Sequence, residues 1–463
     1  MKHQSFLIVV SILLIVSALL GACAQPVPLT QETTPITEET TSVAPPPPQA
    51  RAPVGAPAEL KIGIVTFLSG AGSLFGIPSR NAAEAMIAEL NAGKAPTPYK
   101  TPGIGGVPIR PVYVDEAGGP DKQVTEFRRL VLDEKVDLVI GYVSSATCLA
   151  IAPVAEELQK LTVLYTCATH RIFEESSYKY VFRTKATELA YNVGAARYAL
   201  KIKPDLRTIA GINQDYAWGH DSWEAFRDTV LQLKPGVQVV SEQFPKLFAG
   251  DYSAEITALL AARPDVIHSS FWGGDLEGAV IQGGARGLFA QSRGLFIIGE
   301  AMLPSLGEDV PAGLLIGAEG THGALAPDNA LNRWFARVYQ DRYDTRPIHP
   351  AYHMALALLG VKAAYEKAIA ANNGQWPTQD QVIAAFEGLD FETPSGTIRM
   401  ALGAGHQAIE PVAFGITGDF DPQTGERKLT DVMNFPAECV NPPEGITGKE
   451  WIAQGFLGAK CPQ

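Results

Sequence analysis

The chain has 463 residues, of which 46% are apolar, and 49 Asp and Glu outnumber 37 Lys and Arg to give a formal net charge of −12. This length and apolar content exclude a chain that is disordered throughout and predict two or three domains. The acidic charge argues against a nucleic-acid partner, because binding to a phosphate backbone relies on clustered Lys and Arg.

The first predicted element is a signal peptide over residues 1–22. An apolar run from Phe6 to Leu20 follows Lys2 and ends in Leu20-Gly21-Ala22-Cys23. The run is shorter than the roughly 20 residues that span a bilayer, and small residues before a cysteine favour cleavage over a short uncleaved anchor. The end of the run resembles a bacterial lipobox, which implies that Cys23 is lipidated. We therefore expect an extracytoplasmic protein, periplasmic or on the cell surface, that is anchored to a membrane.

Residues 23–58 form a predicted linker between this lipidated cysteine and the body. Nine of the 34 prolines and no aromatic residue lie between Cys23 and Ala58. Such a segment cannot bury enough apolar surface to fold, so we expect an extended, partly polyproline spacer.

Once Cys23 is assigned to lipid, the remaining cysteines are even in number and lie in an oxidising compartment, which favours disulfides. Three pairings are possible. The shortest loops result from Cys148–Cys167 with Cys439–Cys461, which we prefer, and free buried thiols are the alternative.

From Leu60 the chain alternates short β-branched runs with longer amphipathic runs, the pattern of parallel βαβ units. A first series of predicted strands covers 60–65, 109–114, 136–140 and 161–164, with helices over 80–90, 122–132 and 149–159. The pattern starts again with strands over 208–212, 237–240, 266–271 and 295–298 and helices over 187–200, 219–232, 253–262 and 275–283. Helices over 328–340, 350–370 and 378–387 and strands near 397–399 and 412–414 look like additions to these sheets. The sequence therefore predicts an α/β fold of two doubly wound, Rossmann-like lobes.

Enzyme motifs are missing: the sequence has no G-x-S-x-G, Walker loop, H-E-x-x-H or C-x-x-C. His349 and His353 have the spacing of metal ligands, but Pro350 suits the first helical position and would leave His349 outside the helix. We predict no catalytic residue, no metal and no cofactor. A small-amide hydrolase that pairs Ser144 or Ser145 with His170 is an alternative without a visible orienting acid.

Small hydroxyl residues follow two predicted strands of the first lobe. In open α/β sheets, ligands bind beyond the carboxyl ends of strands, where helix N-termini offer free N–H groups. We expect this edge to bind a carboxylate, with simple helix capping as the alternative. The candidate residues lie in the runs 144–147 and 166–169, and they are Ser144, Ser145, Thr147, Thr166 and Thr169.

In the second lobe, aromatic residues follow two strands and an acid follows a third. Tyr216, Trp218 and Trp272 could wall a pocket by apolar and cation–π contact, and Glu300 could pair with a ligand ammonium. A solvated loop position is the alternative for Glu300. Together the two lobes suit a zwitterion held between them.

These residues, in this order, resemble the extracytoplasmic solute-binding proteins of ABC transporters, in the leucine/isoleucine/valine-binding, type I periplasmic binding protein family. The resemblance covers about residues 60–418. It rests on 62–65 with the Ser69-Gly70 loop that follows, on 141–147, 182–184, 213–219 and 271–274, and on 393–397 with His406-Gln407. Ser69 is accordingly a further candidate ligand-binding residue.

The resemblance implies two lobes joined by a three-crossover hinge that close on the ligand. It assigns 59–184 with 321–405 to the N-terminal lobe and 185–320 with 406–463 to the C-terminal lobe. It also implies that Ser145 and Thr169 bind the ligand carboxylate and that Trp218 and Glu300 serve its ammonium end. Trp218 stands where tyrosine is usual, which leaves an aromatic or other organic acid open beside a branched-chain amino acid.

We therefore expect a monomeric, lipid-anchored substrate-binding protein of an ABC importer, and not an enzyme. It would capture an amino acid or similar small carboxylated solute and deliver it to a permease and its ATPase. The alternative is a ligand-sensing receptor of the same fold that acts on a signalling partner, because fold alone does not settle function.

Overall fold

The computed structural model describes residues 52–461. The predicted signal peptide, the lipidation site Cys23 and most of the linker lie outside the described residues. Strands and helices alternate along the chain from β1 to β10, as the sequence predicts, and three helices and five strands follow. The strands are β1 Leu60–Thr66, β2 Ile109–Asp115, β3 Leu138–Gly141, β4 Thr162–Leu164, β5 Val181–Arg183, β6 Thr208–Ile212, β7 Gln238–Gln243, β8 Val266–Ser269, β9 Arg293–Phe296, β10 Leu315–Gly317, β11 Asp390–Thr393, β12 Gly396–Leu402, β13 Gln407–Ile409, β14 Val412–Asp421 and β15 Glu426–Phe435.

The helices lie between these strands and also follow the last one. They are α1 Ser73–Asn91, α2 Pro120–Leu132, α3 Ser145–Glu157, α4 Arg171–Glu174, α5 Glu188–Ile202, α6 Ala217–Leu233, α7 Ser253–Ala262, α8 Gly274–Ala285, α9 Leu288–Gln291, α10 Leu303–Leu306, α11 Ala330–Tyr343, α12 His349–Ala371, α13 Gln379–Phe386, α14 Ala437–Val440 and α15 Gly448–Ala453. Short 3₁₀ turns cover Gly299–Met302, Gly307–Asp309 and Gly323–Leu325. No helix within 52–461 combines the length and apolar character needed to cross a membrane.

Two sheets organise these elements into the predicted lobes. The first sheet has eight strands in the order β11-β12-β13-β5-β4-β3-β1-β2, and the second has seven in the order β15-β14-β10-β9-β8-β6-β7. Strands β1 to β5 run parallel to their neighbours, as do β6 to β10, whereas β11, β12, β14 and β15 add antiparallel edges. The predicted fold of two doubly wound lobes is therefore confirmed.

The chain passes between the sheets three times, after β5, after β10 and after β13. The last passage falls later than the boundary drawn from the sequence at 405/406. Gln407 of β13 pairs with Arg183 of β5 in the first sheet, and its side-chain oxygen accepts a hydrogen bond of 2.5 Å from the Arg183 Nε. The second lobe therefore resumes between Ile409 and Val412.

The central parallel strands are apolar on both faces because helices cover both faces. In β1 and β3, Ile62, Ile64, Leu138 and Ile140 have no more than a trace of exposed surface. Strand β15 was not predicted, since most of its residues are at least partly exposed and polar. A buried apolar run gives a sequence signal that such an added edge strand lacks.

The structure contains the disulfides Cys148–Cys167 and Cys439–Cys461, the pairing that gives the shortest loops. The first connects α3 to the segment after β4, next to the predicted ligand residues. The second connects α14 to the last described residue. Each closes a loop of about 20 residues, for which chain entropy predicts a stabilisation of about 3 kcal/mol.

Candidate ligand site between the lobes

A small cavity lies between the carboxyl edges of the two sheets and is lined by residues from both lobes. The space open to the centre of a water-sized sphere is about 20 Å³, enough for roughly one water molecule. The lobes are thus closed around it. Its lining includes these predicted residues: Ser145, Thr166, Tyr216, Trp218 and Trp272. It also includes Phe75, Val143, Ala168, Ile298 and Glu319.

The first-lobe wall is the N-terminus of α3. Ser145 is its first residue, and the Ser145 Oγ accepts weak hydrogen bonds of 3.4 Å from the backbone N–H groups of Ala168 and Thr169. No acceptor within residues 52–461 receives the backbone N–H groups of residues 145–147. A helix N-terminus with free donors attracts anions, so this wall is suited to a carboxylate.

Glu116 accepts hydrogen bonds from the two backbone N–H groups just before that helix. The sequence analysis did not predict this contact. Its carboxyl oxygens accept hydrogen bonds from the backbone N–H groups of Val143 at 2.7 Å and Ser144 at 2.8 Å. Burial raises the pKa of Glu116 to about 8, although these two donors and the Thr147 hydroxyl act in the opposite direction. Ser144 and Thr147 therefore contact the protein's own carboxyl group, and neither lines the cavity.

The cavity floor carries a buried ion pair. The Lys185 Nζ lies 3.0 Å from the Glu319 Oε2 and donates to the carbonyl oxygen of Thr166 at 2.6 Å. Lys185 is fully buried and Glu319 is 5% exposed. Burial lowers the pKa of Lys185, and the Glu319 carboxylate partly offsets that effect. The Thr166 Oγ1 in turn lies 2.5 Å from the Nδ1 of His353.

The second-lobe wall is aromatic. The Trp272 Nε1 donates to the Tyr216 hydroxyl at 2.8 Å, and the Trp218 Nε1 donates to the carbonyl oxygen of Ser270 at 2.7 Å. Ring centroids of Phe75 and Phe248 lie 5.5 and 5.1 Å from that of Trp272. Because both indole N–H groups already have acceptors, the tryptophans offer apolar contact, whereas the Tyr216 O–H can still donate.

The structure does not place Glu300 in this cavity. One of its carboxylate oxygens forms an ion pair with Arg346, and the other accepts the backbone N–H of His349 at 3.0 Å. Burial alone would raise the pKa of Glu300, but Arg346 and His349 outweigh it and lower that pKa to about 2. Its charge is already balanced within the protein, and the acid that lines the cavity is Glu319.

Two other predicted residues also point to different partners. The Ser69 Oγ donates to the Asp115 Oδ2 at 2.5 Å at an exposed position. The Thr169 Oγ1 donates to the Oδ2 of Asp221 in the second lobe at 2.6 Å. Neither side chain lines the cavity, and each hydroxyl is already bound to a carboxylate of the protein.

The histidines also differ from the sequence prediction. His349 is the first residue of α12 and not a residue before it, and both His349 and His353 are fully buried. The Nδ1 of His353 lies 3.6 Å from Glu319, and the Nδ1 of His349 lies 3.3 Å from Glu300. Within the described chain, His170 pairs with Glu188 and not with Ser144 or Ser145, so the Ser–His pair that the hydrolase alternative requires is not formed.

A second cavity, with about 340 Å³ open to a water-sized sphere, lies beside the first and shares Phe75 with it. Its lining is mostly apolar and again comes from both lobes, with Ile77 and Tyr339 on one side and Leu276 and Met302 on the other. Phe75 therefore stands between a small inner space, which has both aromatic and polar lining residues, and a larger apolar outer space.

Sequence reasoning missed Glu116, Lys185, Glu319 and His353. Glu319 could have been found from the sequence, because it lies two residues past β10 and ligands bind beyond the carboxyl ends of strands. Lys185 lies two residues past β5. Glu116 directly follows β2, whereas His353 lies within a helix and has no such signal.

The fold agrees with the comparisons to known proteins. A periplasmic binding protein family model matches residues 59–417, and the chain belongs to that family. Membership implies an extracytoplasmic protein that binds a small solute.

Among curated relatives, the Leu/Ile/Val/Thr-binding protein of Salmonella typhimurium is 26% identical over 261 residues, which is 56% of this chain and 67% of the relative. The Leu/Ile/Val-binding protein BraC3 of Rhizobium johnstonii is 27% identical over 378 residues, 80% of this chain and 91% of the relative. The match thus spans about two thirds of the first protein and most of the second.

Solved structures show the same fold. An ABC-transporter solute-binding protein from Rhodopseudomonas palustris in complex with p-hydroxybenzoic acid has a TM-score of 0.69 at 23% identity and covers 82% of this chain and 97% of its own. A leucine-binding protein from Thermotoga maritima has a TM-score of 0.66 at 22% identity and covers 81% and 98%.

Proposed function

We propose that this protein is the lipid-anchored substrate-binding component of an ABC importer, which captures a small carboxylate with an apolar body and delivers it to a permease. The observation that carries the proposal is the closed cavity with helix N–H donors on one wall and aromatic side chains on the other. The chain itself performs no chemistry. The lobes separate to admit the solute, which then stabilises the closed state by its higher affinity for it.

The carboxylate half of the proposal is supported by the N-terminus of α3. The N–H groups of residues 145–147, at the helix N-terminus that carries the cavity-lining Ser145, and the Tyr216 O–H have no acceptor in the described chain. Glu116 has already taken the two preceding N–H groups, so the carboxylate would bind beyond it, toward Ser145.

The apolar half is supported by the aromatic wall. Trp218 and Trp272 are almost fully buried, and both line the cavity. An aromatic ring or a branched aliphatic side chain of the solute would replace the present contact of Trp272 with Phe75. A shift of Phe75 would also join the inner cavity to the outer one of about 340 Å³, which brings the space into the range of ordinary ligand sites.

Amino acids and benzoates both combine a carboxylate with an apolar body. The Lys185–Glu319 ion pair at the cavity floor distinguishes these two classes of solute. The relatives are named for leucine, isoleucine and valine, whereas several structural neighbours hold benzoate or hydroxybenzoates. An amino acid also needs a partner for its ammonium group. Lys185 holds one oxygen of Glu319, so only the other oxygen would receive that ammonium.

Isothermal titration calorimetry with benzoate, 4-hydroxybenzoate and leucine tests the proposal. Each acid is compared with its neutral amide, because only the carboxylate should engage α3. We expect Trp272→Ala to weaken binding at least tenfold and Trp376→Ala, a partly exposed tryptophan that contacts Tyr365 away from the cleft, to leave binding unchanged. Equal affinity for the amides, or no binding of any of the three acids, would contradict the carboxylate site.

The membrane part of the proposal has its own test. Cys23→Ala should move the protein from the membrane fraction to the soluble fraction while leaving solute affinity unchanged. A protein that stays in the membrane after this substitution would contradict the lipid anchor and leave the solute site unaffected.

A further inference from the structure

A second polar cluster joins the two lobes outside the ligand cavity. His170 follows β4 in the first lobe, Glu188 begins α5, and Asp221 lies in α6 of the second lobe. One ligand atom from each of these residues lies within 4.8 Å of the others. The cluster is separate from the ligand cavity, since none of the three residues lines it.

Glu188 is the key residue of this cluster because its side chain is fully buried and only half satisfied. Its Oε1 contacts the Nδ1 of His170, but its Oε2 has no hydrogen-bond partner in the described part of the chain. A buried carboxylate oxygen without a partner is costly. Glu188 therefore offers an unused electron-pair donor to whatever occupies the cluster.

Asp221 contributes a second carboxylate next to this oxygen. Its Oδ2 accepts the hydroxyl of Thr169 at 2.6 Å, which fixes the side chain and leaves the other oxygen for a further partner. His170 is 28% exposed and Glu188 is fully buried. A solvent-reaching cavity lined by His170, Asp221 and the exposed Glu224 gives access to the cluster from outside.

One imidazole nitrogen and two carboxylate oxygens are a common donor set for Zn²⁺ and related divalent transition metals. Such sites often leave a fourth position to water, and the adjoining cavity has room for one. We propose that His170, Glu188 and Asp221 form a site for a divalent transition-metal ion that bridges the two lobes in the closed state.

Binding of the ion is balanced by loss of a proton. In the metal-free protein one proton joins the Nδ1 of His170 to the Oε1 of Glu188; the ion takes its place and the proton passes to solvent. Because His170 belongs to one lobe and Glu188 and Asp221 to the other, the complete site exists only when the lobes are closed. The ion accordingly favours the closed state and is not the transported solute.

Calorimetry with Zn²⁺ on the full chain, after chelator treatment, tests this site. We expect one ion per chain, and at least a tenfold loss of affinity in each of His170→Asn, Glu188→Gln and Asp221→Asn. Glu224→Gln is the matched control, since Glu224 lines the same cavity but is not in the cluster, and it should bind Zn²⁺ like the wild type. No binding, or unchanged affinity in Glu188→Gln, would overturn the proposal.

Two further variants distinguish this site from a Zn²⁺ site on the protein surface. The exposed pair of His220 and Asp215 is the alternative Zn²⁺ site, so loss of binding in His220→Asn would assign the ion to the surface and overturn the proposal. If Glu188→Gln fails to fold, Asp221→Asn decides, because asparagine still accepts the Thr169 hydroxyl. Affinity lost in His170→Asn but kept in Asp221→Asn would remove Asp221 from the site and contradict the three-residue donor set.

Discussion

Two glutamates follow neighbouring strands of the second sheet and have opposite roles. Glu300 comes after β9 and Glu319 after β10. Arg346 and His349 surround the Glu300 carboxylate away from the cavity, whereas Glu319 lines the cavity and meets Lys185 from a distant part of the chain. A position just past a strand end therefore predicts that an acid lies at the ligand-binding edge of the sheet. Cations from distant parts of the sequence determine whether that acid is available to a ligand.

The substitution Glu300→Ala is the most direct test of this difference between Glu300 and Glu319. The substitution leaves the partly exposed Arg346 with only Glu426 as its carboxylate partner and removes the acceptor of the His349 backbone N–H. Removing one partner of a buried ion pair is expected to lower the free energy of unfolding by about 3–5 kcal/mol. Urea unfolding measures this loss, and calorimetry below the unfolding transition should show solute affinity within about twofold of the wild type.

Asp328→Asn is the control for that experiment. Asp328 forms an ion pair with Arg333 in which both side chains are largely exposed, and such pairs contribute little. A Glu300→Ala protein of normal stability with weakened solute binding would return Glu300 to the ligand site.

Acid titration tests the same carboxylate without an alanine substitution. The pKa of Glu300 in the folded protein is about 2, below its ordinary value of 4.5. Its contribution to stability is therefore complete above pH 4.5 and is lost as the pH falls toward 2, a change of about 3 kcal/mol. The difference in free energy of unfolding between wild type and Glu300→Gln should shrink over this pH range, and a constant difference would contradict the assignment.

The sequence could predict most of the fold because helices cover both faces of the parallel strands. Runs such as 60–66 and 138–141 are buried almost throughout, so their apolar character is visible without a partner. Strand β15 and the short helix α15 lack that signal. Part of α15 is specified by the capping box of Thr447 and Glu450, a motif that is weak by itself.

The candidate site was less predictable for a physical reason. Ser145, Thr166 and Trp272 are where strand-end logic expects them, because parallel strands bring their carboxyl ends to one edge. Thr169 and Glu300 follow the same rule, but Asp221 and Arg346 hold them elsewhere. Such pairings form between segments far apart in sequence, and residue type and spacing do not reveal them.

The floor of the cavity provides the next test, Lys185→Met. Glu319 then loses its cation but keeps His353 at 3.6 Å, so we expect the free energy of unfolding to fall by about 3 kcal/mol, the low end of the range for removing one partner of a buried ion pair. Freed from Lys185, Glu319 should pair with a ligand ammonium. The affinity for leucine relative to benzoate should therefore rise, as measured by calorimetry with both solutes.

A matched comparison for Lys185→Met is Lys362→Met. Lys362 is also a fully buried lysine, with Glu366 at 2.7 Å, but it lies in α12 away from the cavity. Both variants should lose stability, and only Lys185→Met should change the leucine-to-benzoate ratio. The same ratio in both variants would mean that Glu319 does not face the ligand.

The smallest expected effect is that of Thr166→Val, which separates the cavity floor from the wall above it. Valine keeps the shape of the side chain but removes the hydroxyl that lies 2.5 Å from the His353 Nδ1. The carbonyl oxygen of residue 166 still accepts from Lys185, so the ion pair with Glu319 should persist and the free energy of unfolding should fall by only about 1 kcal/mol.

Solute affinity should change little if His353 acts only through Glu319. A loss of affinity larger than the loss of stability would instead place the Thr166 hydroxyl in direct contact with the solute, and would extend the polar half of the site from α3 to the loop after β4.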